Sequence, residues 1–243
     1  MKKRLDVLLV ERGLAPSRQR AQAYILAGKV LVDDRPSTKA GTRFKDDVEI
    51  RVKSPDHEFV SRGGLKLLGA IEAFKVSISG RIAADLGAST GGFTDCLLQH
   101  DAAKVFAIDV GYGQLAWKIR QDERVVVMER TNARHLQSLE EPVDLVVGDL
   151  SFISLRLILP AIARIAAPRS DCLLLVKPQF EVGREAIAKG GVVSEASERE
   201  AAVQQVLDDA EALGFEALGH MESPIQGAKS GNIEYLVHLR TSA

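Results

Sequence analysis

Apolar positions recur first at helical spacing and later as short strand-like runs. Leu5, Leu8 and Leu9 share one helix face, and Gly13 is well placed to stop that helix. Ser17 is a good N-cap for a second helix through Ala27, with Gly28 as its stop. Val30-Leu31-Val32, a turn at Asp33-Asp34, and Val48-Glu49-Ile50-Arg51-Val52 then predict short strands. Ser54-Pro55-Asp56-His57-Glu58 is polar and holds a proline. It places a linker over 55–60, between a small α+β domain of residues 1–54 and a second domain of 61–243.

From Phe59 onward apolar runs alternate with helical stretches, the pattern of an α/β fold. Strands are predicted at Ile82–Leu86, Val105–Asp109, Val125–Met128, Leu145–Val147, Leu173–Val176, Glu216–His220 and Glu234–Leu239. Helices fit between most of them, including Ser197–Leu213. Residues 178–194 break the alternation: Pro178, Gly183, Gly190 and Gly191 mark a long loop at a strand end. Long loops in compact domains often serve as functional lids.

Composition adds little until it is divided along the chain. The 243 residues are 46% hydrophobic, 27% charged and 5% aromatic, enough for one good core and a small satellite domain. Residues 1–53 carry 13 Lys and Arg against 7 Asp and Glu, while the remainder carries 19 against 26, under a formal net charge of −1. A basic, anion-reading module on a near-neutral or acidic body fits that split. Arg18 and Arg20 fall in the first turn of the second helix, against the preference of its dipole for acids, which suggests an anion outside the protein.

The start Met1-Lys2-Lys3-Arg4 followed by Leu5 to Val10 is not a signal peptide, because Asp6 and Glu11 interrupt a run that is too short. Leu145 to Ala167, broken by Asp149, Arg156, Pro160 and Arg164, is no membrane span. Cys96 and Cys172 form neither a metal-ligand spacing nor a disulfide framework, and a cytoplasmic setting is expected.

The first quarter of the chain resembles an S4 RNA-binding domain, through Arg4-Leu5-Asp6, Ser17-Arg18, Ala27-Gly28-Lys29-Val30 and Val32. The resemblance implies that Arg4, Arg18, Arg20 and Lys29 meet structured RNA, mostly through phosphates and shape.

Ile82-Ala83-Ala84-Asp85-Leu86-Gly87-Ala88-Ser89-Thr90-Gly91-Gly92-Phe93 runs from an apolar strand through a glycine turn into a helix. Asp109 ends the next strand, where a carboxylate can accept both hydroxyls of an adenosine ribose. Asn132, after the third strand, is placed to meet the adenine edge. A nicotinamide site is disfavoured, since Ser89 stands where the second glycine of that fingerprint belongs. The arrangement resembles Rossmann-like class I methyltransferases that use S-adenosylmethionine. It implies a seven-stranded sheet with the last strand antiparallel, and cofactor contacts from Asp85, Gly87, Ser89, Gly91, Gly92, Phe93, Asp109 and Asn132.

Base methylation is disfavoured. Gly148-Asp149-Leu150-Ser151-Phe152 replaces the Asn/Asp-Pro-Pro-aromatic turn of amino methylation, and both cysteines lie in core positions rather than poised as nucleophiles. What remains is Lys66 before the first strand of this domain, Asp149 past the fourth, Lys177 at the end of the fifth and Glu234 at the start of the last. Taken singly, each has a blander reading as a surface, edge or capping residue. Together they resemble the Lys-Asp-Lys-Glu set of FtsJ-like ribose 2′-O-methyltransferases. By that resemblance Lys177 orients or deprotonates the hydroxyl, Asp149 tunes Lys177, and Lys66 and Glu234 hold the ribose and the second lysine in place.

The motif order Phe59-Val60-Ser61-Arg62-Gly63-Gly64-Leu65-Lys66, Asp85 to Asp95, Gly148 to Ser154, Lys177-Pro178-Gln179-Phe180-Glu181 and Lys189-Gly190-Gly191-Val192-Val193 resembles the TlyA, or haemolysin A, family over essentially the whole length. Membership implies cytidine 2′-O-methylation of ribosomal RNA, with Arg62 among the RNA contacts. The early S4 helix and the close after the last strand lead to the large subunit as the expected substrate, with the small subunit as the alternative. Two other classes compete. A pore-forming haemolysin needs a secretion signal or a long insertable segment, and none is found. A catalytically inactive RNA-binding assembly factor needs a broken Lys-Asp-Lys-Glu set or cofactor turn, and both are intact.

Overall fold

The computed structural model describes residues 2–15, 17–52, 57–188, 190–227 and 231–242. The chain divides into two compact units, residues 1–58 and 59–243. Pro55 and Asp56 of the expected linker, with Lys53 and Ser54 before it, lie outside the described residues.

The first unit runs β1 (Lys2–Arg4), α1 (Leu5–Glu11), α2 (Arg18–Leu26), β2 (Val30–Val32), β3 (Arg35–Pro36), β4 (Arg43–Lys45) and β5 (Ile50–Val52). Leu5, Leu8 and Leu9 meet Ala21, Ile25, Val30, Val32 and Ile50 in one small core, which is the burial the helical spacing required. Ser17 caps α2, its Oγ accepting from the Arg20 N–H at 3.3 Å. Asp33 and Asp34 both take positive φ, as a two-residue hairpin joining right-twisted strands demands. The strand expected over 48–52 starts only at Ile50, because Glu49 is tied to Asp33 of that hairpin turn. The β1–β4 pair was not legible: both strands are short and mostly charged, with no alternation to reveal them.

The second unit opens with α3 (Gly63–Phe74), β6 (Ile82–Leu86), α4 (Gly92–Gln99), β7 (Lys104–Ile108), α5 (Trp117–Arg120), β8 (Val125–Met128) and β9 (Val143–Gly148). It closes with α6 (Leu159–Ile165), β10 (Ala166–Val176), α7 (Pro178–Glu181), α8 (Ala196–Ala212), β11 (Glu216–Glu222) and β12 (Tyr235–Arg240). These strands form one seven-stranded sheet in the order β11-β12-β10-β9-β6-β7-β8. β12 is antiparallel to both neighbours, and the pairs among β6 to β10 are parallel. The expected Rossmann-like fold with an antiparallel last strand is the observed one.

Alternate residues of the central strands feed two cores. Ala84, Leu86, Phe106, Ile108, Val146 and Leu174 pack with α6 and α8, while Ala83, Val105, Leu145, Val147 and Leu173 pack with α3 and α4. Burial on both faces explains why these strands read as continuous apolar runs. Each fully buried aliphatic side chain contributes about 1.5–3 kcal/mol. β6 pairs with β9 on one side and β7 on the other, so the chain reverses its direction of sheet growth between β6 and β9. At such a switch point the loops beyond the carboxyl ends part and leave a crevice.

Candidate active site

That crevice opens where Gly87 follows β6 and Asp149 follows β9. It is a cleft of about 550 Å³, lined along one wall by Gly87 to Thr90, Gly92 and Phe93. Lys66, Asp149, Lys177 and Glu234 line it as well. The sheet register explains part of this convergence. Tyr235 pairs with Val176, so Glu234 and Lys177 lie one step beyond the same rung.

The Lys66 Nζ lies 2.6 Å from Glu234 Oε2 and 3.1 Å from Asp149 Oδ2. The Lys177 Nζ lies 2.6 Å from Asp149 Oδ1 and donates to Ser151 Oγ at 2.7 Å. Two ammonium and two carboxylate groups thus form one charge-balanced chain, with Asp149 bridging the lysines. Lys66, Lys177 and Glu234 are buried, and such charges persist away from water only when paired. Burial alone would lift the Asp149 carboxyl, but the cations of Lys177 and Lys66 outweigh it and hold the group below its ordinary value.

The glycine turn is built by backbone that other residues rarely adopt. Gly87 has φ +84° and Gly91 has φ +97°, and Ser89 between them also takes positive φ. Asp109 fastens the turn: Oδ2 accepts from Ser89 N at 2.8 Å and Oδ1 from Gly111 N at 2.6 Å. A carboxylate has lone pairs to spare beyond these two bonds, so Asp109 can still accept from a ligand. Gly92 answers a different need. A Cβ there would lie 2.2 Å from Ser61 Oγ, so its smallness lets the start of α3 approach α4.

Two expected cofactor residues stand elsewhere. Asp85 is fully buried outside the lining of the cleft, where Oδ2 accepts from Thr94 N at 3.0 Å and from Thr94 Oγ1 at 2.6 Å. Its role is to tie the first turn of α4 to the end of β6. Burial pushes its carboxyl up to about 7, against the Thr94 hydrogen bonds. Asn132 is exposed, and its Oδ1 accepts from Arg134 N, capping the short turn Ala133–His135. The narrow hollow beyond the glycine turn is lined instead by Ala88, Asp109, Gln114, Leu115, Val127 and Glu129. Glu129 at the end of β8 and Gln114 were missed from sequence, since nothing in their spacing separates them from surface residues.

Two further cleft residues were also missed. Ser151 takes the Lys177 hydrogen bond, and Phe152 stands 86% exposed with positive φ, its ring 5.5 Å from that of Phe180. Arg62 is exposed at the cleft, where its guanidinium donates to the Gln226 carbonyl at 3.1 Å.

In the first unit, Arg4 and Arg18 do not lack an anion of their own. Both bind the buried Asp6, Arg4 through Nε at 2.9 Å and Arg18 through Nη2 at 3.2 Å, and Gln22 adds a third donor at 2.9 Å. The Arg4 hydrogen bond, above all, holds the Asp6 carboxyl well below the usual carboxylate range. The unfavourable placement of Arg18 in the α2 first turn is therefore offset within the fold. Arg4 and Arg18 keep side chains 41% and 58% exposed, with N–H groups left for an outside acceptor. Arg20 lies over the Tyr24 ring at 5.4 Å, and Lys29 is half-buried at the end of the α2–β2 turn.

Comparison with known proteins bears on both units. Residues 59–241 match the FtsJ-like methyltransferase model, and residues 3–50 match the S4 domain. The chain is 50% identical over 241 residues to the 16S/23S rRNA (cytidine-2′-O)-methyltransferase TlyA of Mycobacterium tuberculosis, covering 98% of this chain and 90% of that one. It is 49% identical over 245 residues to YqxC of Bacillus subtilis, covering 98% of this chain and 85% of the relative. A solved Streptococcus thermophilus structure that carries a haemolysin name is 43% identical with a TM-score of 0.77, over 99% of this chain and 89% of that one. The chain belongs to the TlyA family, in which an S4 domain precedes an FtsJ-like methyltransferase domain.

Proposed function

We propose that this protein transfers the methyl group of S-adenosylmethionine to the 2′-hydroxyl of a cytidine ribose in ribosomal RNA, with the large subunit as the preferred substrate. The observation that carries the reading is the ion-pair chain Glu234–Lys66–Asp149–Lys177 beside the glycine turn. The M. tuberculosis relative is named for this reaction on both ribosomal RNAs, and a Campylobacter jejuni relative, 37% identical, is named for 23S rRNA alone.

The residues present fit the cofactor. Asp109 and Glu129 offer acceptors to a ribose and an adenine, Leu115 and Val127 offer apolar walls, and the turn from Gly87 leaves backbone within reach of a ligand. The Gln114 side chain lies over Gly111 in the lining of the hollow beyond the glycine turn. When bound, S-adenosylmethionine supplies an electrophilic methyl group.

Transfer to a hydroxyl demands alignment and a destination for one proton. Lys177, pinned by Asp149 and Ser151, is placed to hold the hydroxyl oxygen. As that oxygen forms its new bond to carbon its proton becomes strongly acidic, so a late transfer to the Lys177–Asp149 pair needs no strong base. Lys66 and Glu234 keep Asp149 from turning away. Phe152, exposed at the cleft, offers a face on which an unstacked base can rest. The basic first unit, with Arg4, Arg18, Arg20 and Lys29, supplies phosphate contacts that position the RNA.

The test is methyl transfer from labelled S-adenosylmethionine to separated ribosomal subunits and to their extracted RNA, all taken from cells lacking the enzyme. Label on a ribose 2′-oxygen of large-subunit RNA, absent with Lys177→Ala, is the expected result. Label on a base, or none despite cofactor binding, would refute the reading. Nothing observed favours a pore: among the described residues no helix is long and apolar enough to cross a membrane.

A further inference from the structure

Two segments distant in sequence form one wall of the cleft, and a buried amide joins them. Asn232 is 2% exposed and lies two residues before Glu234. Its Oδ1 accepts from Val193 N at 3.1 Å, and its Nδ2 donates to the Gly191 carbonyl at 2.8 Å. Its own carbonyl accepts from Gly227 N at 2.9 Å. One side chain therefore reads both backbone polarities of the loop after β10, while its backbone holds the segment before β12.

Both partners of this clasp reach the reacting centre. Gly190, Gly191, Gly227 and Glu234 all line the cleft. Gly227 packs so closely on Glu234 that a Cβ there would lie 2.9 Å from Oε1. Glu234 in turn holds Lys66, and Lys66 holds Asp149. A buried amide bonded only to its local turn would be ordinary satisfaction of polar groups. Here the bonds instead span about 40 positions of sequence, and they end next to a catalytic carboxylate.

We propose that Asn232 is a positioning residue for methyl transfer. It fastens the Gly190–Gly191 turn to the Glu234 segment, so that this cleft wall and the carboxylate holding Lys66 are set as one piece. The assignment rests on the methyl-transfer reading above. The glycine turn and Asp109 follow β6 and β7, on elements other than those of the clasp, so cofactor binding can be measured apart from it. Misplacing a reacting group by about 1 Å can cost about 100-fold in rate, which sets the scale of the expected loss.

Asn232→Asp and Asn232→Ala test it. The carboxylate of the first still accepts from Val193 N–H but has no proton for the Gly191 carbonyl; the second loses the bonds to Val193 and Gly191 alike. Single-turnover methyl transfer is expected to fall about 100-fold in the alanine variant and by less in the aspartate variant. The dissociation constant for S-adenosylmethionine should stay within about three-fold of wild type, a split that a general folding defect would not produce. Amide hydrogen exchange should quicken at Gly191 to Val193 in both variants and stay unchanged at Gly87 to Phe93. Wild-type rates in the variants, or rate and cofactor affinity lost in parallel, would overturn the assignment. So would unchanged exchange at Val193. If the wild-type protein transfers no methyl group, the functional reading fails, and the exchange measurement still decides whether the clasp exists.

Discussion

Asp85 sets up a measurable conflict between stability and pH. Its carboxyl is fully buried; one oxygen accepts twice from Thr94, and the other has no hydrogen-bond partner among the described residues. Burial, with smaller contributions from the nearby Asp149 and Asp109 charges, raises it from 3.8 to about 7. Below the lower value the group is neutral in the folded and unfolded chain alike, and its titration has no effect on stability. Between the two values the unfolded chain releases the proton while the folded chain keeps it, so stability falls as pH rises. Above about 7 the loss is complete. A gap of about 3 pKa units corresponds to about 4 kcal/mol.

Asp85→Asn has nearly the same shape, keeps an acceptor for Thr94 and removes the titration. At about pH 4 it should match the wild type or fall about 1 kcal/mol below it, because its amide N–H enters an unpaired position. At about pH 8 it should be roughly 3 kcal/mol the more stable, or about 6–12 °C in Tm for a unit of this size. Urea unfolding of both proteins across that pH range gives the difference directly, since all other titrations cancel. A difference that is flat with pH, or one in which the wild type gains as pH rises, would refute the reasoning.

Three further outcomes are expected. Lys177→Ala should lower the methyl-transfer rate by at least about 100-fold while binding S-adenosylmethionine as before, read by single-turnover label and by dialysis. Phe152→Ala should leave Tm unchanged, as suits a side chain 86% exposed, yet lower kcat/KM for RNA by about 5- to 150-fold, the worth of one stacked base at about 1–3 kcal/mol. Gly92→Ala places a Cβ 2.2 Å from Ser61 Oγ and should destabilise by about 1–3 kcal/mol, with Ser61→Gly restoring much of the loss in urea unfolding.

The catalytic unit was largely legible as elements because its central strands are buried on both faces. Ile82–Leu86 and Val105–Asp109 are mostly apolar for this reason, and the half-buried edge strand Val125–Met128 is apolar too. The structure changes the expected limits of all three by a residue at most. Asp149, Lys177 and Glu234 were legible for a related reason, each adjoining a strand at the same end of the sheet, whereas Lys66 lies within α3 and was singled out by the resemblance. Where local spacing and partner choice part company, the reading slipped. Asn132 follows β8 in the expected place, but a free backbone N–H two residues on took its side chain, and Glu129 lines the hollow. Arg18 broke a helix-dipole preference, and its compensation lay twelve positions back in Asp6.

By itself, then, the sequence determined the order of strands in the catalytic unit and the glycine turn, and its resemblance to the FtsJ-like set singled out Lys66, Asp149, Lys177 and Glu234. The strands and the turn follow from periodicity and backbone preference, which act within a few residues. Only the tertiary structure decided the pairings: Lys66 with both carboxylates, Lys177 with Ser151, Asn232 with the loop at Gly191 and Val193, and Phe152 left bare beside Phe180. The physical reason is common to all of them. A buried charge or amide is satisfied by whichever group the packed sheet brings within hydrogen-bond reach, and sheet order and register, rather than local composition, choose that group.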